Sequence, residues 1–320
     1  MLRLYLFLSI HLYRTWYFAF STLVPAPMSN KALTLDNYTT RIIVDSSSNV
    51  PVALQAQYRM IEVPTLVNFG AELYRNNVEL TADAFYERIA EGGQWPTTSQ
   101  PPPAFFADAY RQAFDEGAEH LLVCTVSSKF SGTYNSAQMA AQEFGLERFI
   151  LWDSDSASMG SGWQAIRAAR LLEQGIDRKL LLDRLTRLRE ATTGYATVES
   201  LKYAARSGRL SNFQAGVGDL LQVKAVLEVI HGRFSAIGRV RGRLRSLRTI
   251  VDHFLADIGE HPVNLTVAHA NAPEEAGRVG EDAQARLDVR ELLIVEIGPA
   301  IATLAGPGTV AILGHPADLF

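Results

Sequence analysis

Cysteine is almost missing from the chain: Cys124 is the only one in 320 residues. A lone thiol excludes an internal disulfide framework and any Cys-x-x-Cys metal site. It lies in the apolar run LLVCTV, which makes it a buried, inert thiol rather than a nucleophile. Other chemistry-bearing patterns are missing too. There is no GxxxxGK[ST] phosphate loop, no HExxH zinc motif and no GxSxG nucleophile elbow. Gly216-Val217-Gly218 is only a fragment of a dinucleotide fingerprint. His231, His253, His261, His269 and His315 have no metal-ligand spacing, and His269 reads as a satisfied half-buried residue. The net charge of −4 gives no global basic field, so nucleic acid is not an expected partner. Internal repeats and low-complexity tracts are absent. Hydrophobic residues at 48% and charged residues at 20% exclude a disordered or fibrous chain.

A long clean hydrophobic run is also lacking. The start, MLRLYLFLSIHLYRTWYFAFSTLVPAP, is apolar but is broken by His11 and Arg14. An Arg at the centre of a membrane span costs roughly 2.5–3.5 kcal/mol. The run Leu4 to Ile10 is short for a signal h-region, and no A-x-A cleavage site follows. Three readings stand: a translation start at Met28, which is favoured, an interfacial or membrane anchor, and a cleaved signal. Residues 1–40 are therefore set apart as an extension outside the core.

What remains alternates strands with helices. Arg41–Val44, Leu121–Val126 and Arg148–Trp152 read as buried strands. Glu62–Asn68 and Glu72–Arg75 read as a hairpin around Gly70. Helices are expected over Thr81–Ala90 with Thr81 as cap, Ala104–Glu116, Ser131–Phe144, from Ser156 onward, and over Asp177–Glu190. Gly92–Pro103 reads as a loop. This alternation implies a mostly parallel α/β sheet over residues 41–192. After Gly194 the texture becomes α+β. Strands are expected at Tyr195–Val198, Val223–Ile230, Phe234–Val240, Asn264–Ala268, Leu292–Ile297 and Thr309–Leu313. Helices are expected at Leu244–Gly259 and Glu274–Leu287, and a hairpin turns at His231-Gly232. Residues 193–320 are expected to form a second domain.

Hydroxyl residues gather just after strand carboxyl ends. Asp45-Ser46-Ser47-Ser48 follows the first strand. Ser127-Ser128 and Ser131-Gly132-Thr133-Tyr134 follow the central one, and Asp153-Ser154-Asp155-Ser156 the next. Thr97-Thr98-Ser99-Gln100-Pro101 precedes a helix. Ligands of open α/β sheets bind at such edges, where helix amino termini offer N–H groups. Neutral donors there suit an anion such as a carboxylate. The plainer reading makes each cluster a helix cap or turn.

These residues also carry a family resemblance. VDSSSNVP, VPTLVNFGAELYRN, TTSQPPPAFF, SSKFSGTYNSAQMAA, DSDSASMGSG, SLKYAARSGRLS, VKAVLEVIHG, GRVRGRLRSL and IGPAIATLAGPG, in that order, resemble the bacterial DegV family of fatty-acid-binding proteins. TSQP, SSxxSGTY and SGRxS are specific when taken together. The resemblance implies a Rossmann-like parallel-sheet domain of the DegV/EDD type. A second α+β domain with a mostly antiparallel sheet follows it, and the ligand pocket lies between the two. It implies a bound long-chain fatty acid as ligand, no cofactor and no metal. It implies a non-catalytic, cytoplasmic carrier. A separate ATP-using, dihydroxyacetone-kinase-like fatty acid kinase phosphorylates the presented carboxylate, and the product enters phospholipid synthesis.

Residue by residue, Thr98 and Ser99 match the TSQP hydroxyls near the bound carboxylate. Ser127 and Ser128 match the paired serines, one of which bonds it. Ser131, Gly132 and Thr133 open the supporting helix, and Ser46 belongs to the first hydroxyl cluster. Arg206 and Arg209 flank the SGR motif, where an Arg handles the head group or docks the kinase. Two positions depart from the family. Its usual His before the GPG turn is Leu304 here, which removes one donor. Asn49 takes the last Asp of DSxxD and cannot act as a base. The rival reading is a hydrolase or phosphotransferase on the same fold, with Asp45 and Asp153 as its acids. Arg233, Arg239, Arg241, Arg243, Arg245 and Arg248 form a basic run. It reads either as a solvated face or as a contact for phosphate, for a membrane touched transiently or for a partner protein.

Overall fold

The computed structural model describes residues 33–211 and 223–320. The expectations for the amino-terminal start and for Gly216-Val217-Gly218 lie outside the described residues.

In chain order the first elements are β1 (Thr34–Leu35), β2 (Thr40–Asp45), α1 (Val52–Gln57), β3 (Ile61–Val63), β4 (Leu66–Phe69), β5 (Glu72–Arg75), α2 (Ala82–Ala90) and β6 (Thr97–Ser99). Next come α3 (Pro103–Asp115), β7 (His120–Thr125), α4 (Thr133–Ala141), β8 (Phe149–Asp153), α5 (Met159–Leu172), β9 (Ile176–Asp177) and α6 (Arg178–Ala191). Strands β3-β2-β7-β8 form a sheet that is parallel throughout. Its strands are continuous apolar runs because both faces are covered. On one face Ile42, Val44 and Leu122 pack under α5 and α6. On the other Ile43, Leu121 and Val123 meet Phe106 and Tyr110 of α3 and Ala137 of α4. Local capping sets two helix starts: Thr81 Oγ1 accepts the Ala84 N–H at 3.3 Å, and Asp177 Oδ1 accepts those of Lys179 and Leu180 at 2.9 and 3.1 Å.

The expected strand Glu62–Asn68 is two strands. Pro64 interrupts it: β3 ends at Val63 on the parallel sheet, and β4 enters a separate antiparallel sheet ordered β5-β4-β6. Proline has no N–H for a ladder, so the chain can change sheets there. The Gly92–Pro103 loop likewise contains β6, which pairs Thr98 with Val67.

The remaining elements are β10 (Thr193–Val198), α7 (Lys202–Ser207), β11 (Leu210–Ser211), β12 (Val223–Ile230), β13 (Arg233–Arg241), α8 (Arg243–Ile258), β14 (Val263–His269), α9 (Pro273–Arg286), β15 (Val289–Glu296), α10 (Pro299–Ala305) and β16 (Val310–Pro316). They form a sheet ordered β11-β13-β12-β10-β16-β14-β15, antiparallel except at its two outer pairs. The β12–β13 hairpin turns at His231 and Gly232, with φ of +49° and +65°, as a two-residue turn with both central residues left-handed requires. Period-two alternation sorts this sheet's side chains. Tyr195, Val226, Val310 and Ile312 go under α8 and α9. Ala196, Leu227, Ala311 and Leu313 go to the opposite face.

Candidate functional site

That opposite face walls an apolar cavity with about 610 Å³ of empty space, its open mouth included. Ala196, Val198, Leu227, Val229, Ala311 and Leu313 line it from three adjacent strands. Ile297, Ile301 and Leu304 line it from the β15–β16 connection, and Ala157 and Ser158 from the amino-terminal end of α5. Alanines at Ala196 and Ala311, directly opposite one another in the ladder, leave the room.

A second cavity, with about 490 Å³ of empty space including its mouth, adjoins it; hydroxyls of Ser47, Thr65, Thr98, Ser99, Ser131 and Thr133, with Gln100, line it beside apolar side chains such as Val126, Phe130 and Ile301. A third and outer one, of about 920 Å³, is bounded by Trp95, Thr97, Thr98, Tyr203, Arg206 and Thr303. Arg209 and Leu304 line all three.

Several of these hydroxyls are held by hydrogen bonds. Asp45 is fully buried and is the cap of the turn 46–48. Its Oδ1 accepts the Ser47 N–H at 3.0 Å and the Ser47 hydroxyl, and its Oδ2 accepts the Val126 N–H at 2.7 Å. Burial raises its pKa, against the pull of those bonds. Ser46 Oγ lies 2.8 Å from Thr65 Oγ1 and accepts the Thr65 N–H at 2.9 Å. Ser131 Oγ lies 2.8 Å from Thr133 Oγ1. Gln100 Nε2 donates to Ser136 Oγ at 3.0 Å across the foot of α4. A Cβ at Gly132 would overlap the Gln100 amide, so glycine leaves that amide its place at the foot of α4.

The structure brings together Thr98, Ser99, Ser131, Thr133 and Arg209 of the expected residues. It does not place the others on the same wall. Ser46 stands behind Thr65. Ser127 is fully buried, and its Oγ accepts the Lys129 N–H at 3.2 Å. Ser128 is exposed, and its N–H donates to Asp153 Oδ1 at 3.2 Å. Gly132 makes room for Gln100, and Arg206 lines only the outer cavity. Sequence reasoning missed Ser47, Thr65, Gln100 and Phe130 as lining residues. Ser47, Gln100 and Thr65 lie inside motifs already singled out, but only the fold shows which members face inward.

Arg209 is half-buried. Its Nη1 donates to the Ser207 carbonyl at 2.6 Å and its Nε to that of Phe130 at 3.4 Å. Among the described residues no carboxylate pairs with it, and it lies beside neutral donors, a setting that suits an anion. Asn49 is left-handed at φ +54° and its Oδ1 accepts the Ser158 hydroxyl at 2.9 Å, a turn role that asparagine fills well. Asp45 and Asp153 are both engaged in backbone hydrogen bonds and line none of the three cavities. Cys124 is buried, and burial pushes its thiol pKa up. His269 is buried and accepts the Ala272 N–H at Nδ1, 3.4 Å, ahead of α9. Of the basic run, Arg243 is tied to Glu275 and Glu199, whereas Arg239, Arg241, Arg245 and Arg248 are exposed. Among the described residues no group of His, Cys, Asp and Glu could hold a metal ion, and no helix is long and apolar enough to cross a membrane.

Residues 39–316 match the family model described as "Uncharacterised protein, DegV family". A DegV domain-containing protein of Deinococcus radiodurans is 34% identical over 276 residues, covering 86% of this chain and 98% of that one. Protein DegV of Bacillus subtilis is 28% identical, covering 85% and 97%. Among solved structures, one described as fatty acid binding of a DegV family protein from Thermus thermophilus superposes with TM-score 0.81 at 34% identity, covering 87% of this chain and 99% of that one. DegV of Bacillus subtilis, described as a fatty acid binding protein, superposes with TM-score 0.78 at 27% identity over the same shares.

Proposed function

Taking as premise that the chain belongs to the DegV family, we propose that it is a fatty-acid-binding protein. It buries a long acyl chain in the apolar cavity and holds the carboxylate at the hydroxyl-lined mouth beside Arg209. The observation that carries this reading is the junction of the two cavities: an almost wholly apolar wall meets, at Arg209 and Leu304, a mouth where seven polar side chains join the apolar ones. An amphiphile with one anionic end matches that polarity step. Burial of the tail contributes about 0.8 kcal/mol per CH₂ before the costs of binding. Charge-assisted bonds to the carboxylate add roughly 1.5–3 kcal/mol each. The relatives described as fatty acid binding support the ligand class.

We further propose that the protein is a cytoplasmic, non-catalytic carrier. It presents the carboxylate to a separate ATP-dependent fatty acid kinase, which forms the acyl phosphate. Thr98, Ser99, Ser131, Thr133 and Arg209 hold the head group, and Arg206 faces the partner across the outer cavity. Asp45 and Asp153 stay structural.

The test is native mass spectrometry of the full chain purified from a bacterial host, followed by lipid extraction. One long-chain acid per chain is expected. An empty protein that also ignores added fatty acids overturns the reading. Addition of a fatty acid kinase and ATP is expected to give acyl phosphate only when the carrier is present. Its absence removes the kinase role and leaves the binding role.

A further inference from the structure

A tail buried in the cavity has to pass the elements that roof it. Phe234 of β13 lines the apolar and hydroxyl cavities, and Phe130, on the loop after β7, lines the hydroxyl one. Their rings stack with centroids 4.5 Å apart and 26° between planes. This pair joins the loop of the parallel sheet to the hairpin of the other sheet.

The hairpin tip itself is seated in a notch. Lys129 Nζ donates to Asp155 Oδ1 at 2.8 Å and to the His231 carbonyl at 2.8 Å. Lys129 thus ties the loop after β7, the loop after β8 and the tip together. Gly232 is buried in this contact, and a Cβ there would overlap Ser127 Oγ and the Asp155 carboxylate. Ladder pairing of β12 with β10 runs from Ala225 to Glu228 and stops short of the His231-Gly232 turn. On the other side Phe234 and Ser235 pair with Leu210 and Ser211 of β11.

We propose that this notch is the clasp of the acyl cavity. Lys129, Asp155 and Gly232 hold the β12–β13 tip down; its release carries Phe234 off Phe130 and opens the cavity to the tail. The inference rests on the fatty-acid reading above. Its physical basis is a division of labour. The roof is apolar, while the catch is an ion pair whose lysine is 47% exposed and whose aspartate is 23% exposed. Such a contact is weak enough in water and salt to break often without unfolding either sheet. Lys129 is a positioning residue: it acts on the ligand through the hairpin.

A gate changes entry and exit together, whereas a ligand contact changes mainly exit. Lys129→Met in the full chain is therefore expected to raise both the association and the dissociation rate of dansyl-undecanoic acid, read by stopped-flow fluorescence. The rise is roughly three- to tenfold in each, with little change in Kd. Asp155→Asn is expected to do the same, and Arg239→Ala, on the same hairpin but away from the notch, to do nothing. Gly232→Ala, which cannot seat, is expected to match or exceed Lys129→Met. Unchanged rates in both Lys129→Met and Asp155→Asn overturn the clasp. Weaker Kd with an unchanged association rate also overturns it, since Lys129 would then be a ligand contact. If the unmodified protein takes up no fatty acid, the functional reading fails by itself. Hydrogen exchange over residues 223–241 then decides the clasp: faster exchange in Lys129→Met supports it and equal exchange removes it.

Discussion

Phe130 and Phe234 stack across the seam between the two large sheets, ring against ring at 4.5 Å. Neither partner is a neighbour of the other in sequence, and both touch the space where the ligand is proposed to sit. Phe234→Ala should lower stability by about 1–3 kcal/mol, the lower part of the range for large-to-small changes because Phe234 is only half-buried. Leu in its place should recover most of the loss. Chemical denaturation of the three proteins, with and without added fatty acid, measures both effects; the ligand-induced stabilisation should shrink most in the alanine variant.

Arg209 is the cation common to the three cavities. Arg209→Ala should weaken binding of a long-chain fatty acid roughly 10- to 100-fold, the size of one charge-assisted hydrogen bond. The fatty alcohol of equal length should bind both proteins alike, because it has the tail without the charge. Calorimetric titration with the acid–alcohol pair separates the head-group role from a general loss of fold. Equal losses for the two ligands would assign Arg209 to the structure of the mouth instead.

Leu304 occupies the junction where the family's histidine is expected. Leu304→His should supply the absent donor. Its imidazole is charged below a pKa near 6.5 and neutral above it. Affinity for the carboxylate should therefore rise in the variant at pH 6 and approach the parent value at pH 8. The parent should show no such step. Equilibrium binding at the two pH values checks it.

His315 is fully buried, stacked edge-on to Trp163 at 5.4 Å, with its Nδ1–H donating to the Pro316 carbonyl at 2.7 Å. Burial lowers its pKa to about 4 from an ordinary 6.5. Above pH 6.5 the group is neutral in folded and unfolded chains alike and adds no pH dependence. Between 6.5 and 4 the unfolded chain takes up a proton that the folded one refuses, so stability falls as pH falls, by up to about 1.4 kcal/mol per unit. His315→Gln should flatten that part of the stability–pH curve. Urea titrations from pH 7 to 4 on both proteins give the comparison.

The sequence by itself determined the two kinds of sheet. Short apolar runs such as Ile42–Val44 and LLVCTV, separated by helical stretches, read as strands of a buried parallel sheet, and the closely spaced strand-like runs after Gly194 read as a second, different sheet. It also placed hydroxyls at strand ends, since Ser, Thr and Asp cap the turns that begin there. The ordered motifs showed the family, and Leu304 stood out as the odd member of its motif. What only the tertiary structure decided is which of these residues share a wall. Ser46 and Ser47 are adjacent, yet one braces Thr65 and the other lines the cavity. Ser127 and Ser128 sit in a specific motif, yet one bonds a backbone N–H and the other faces solvent. Local pattern fixes how often a side chain points inward; it cannot say which distant segment stands opposite. That is why the Ala196–Ala311 pair that makes the room and the Phe130–Phe234 pair that roofs it were invisible until β10, β16 and the β12–β13 hairpin were in register. The tail site is a property of long-range packing, and contacts across about a hundred residues leave no local signature in sequence.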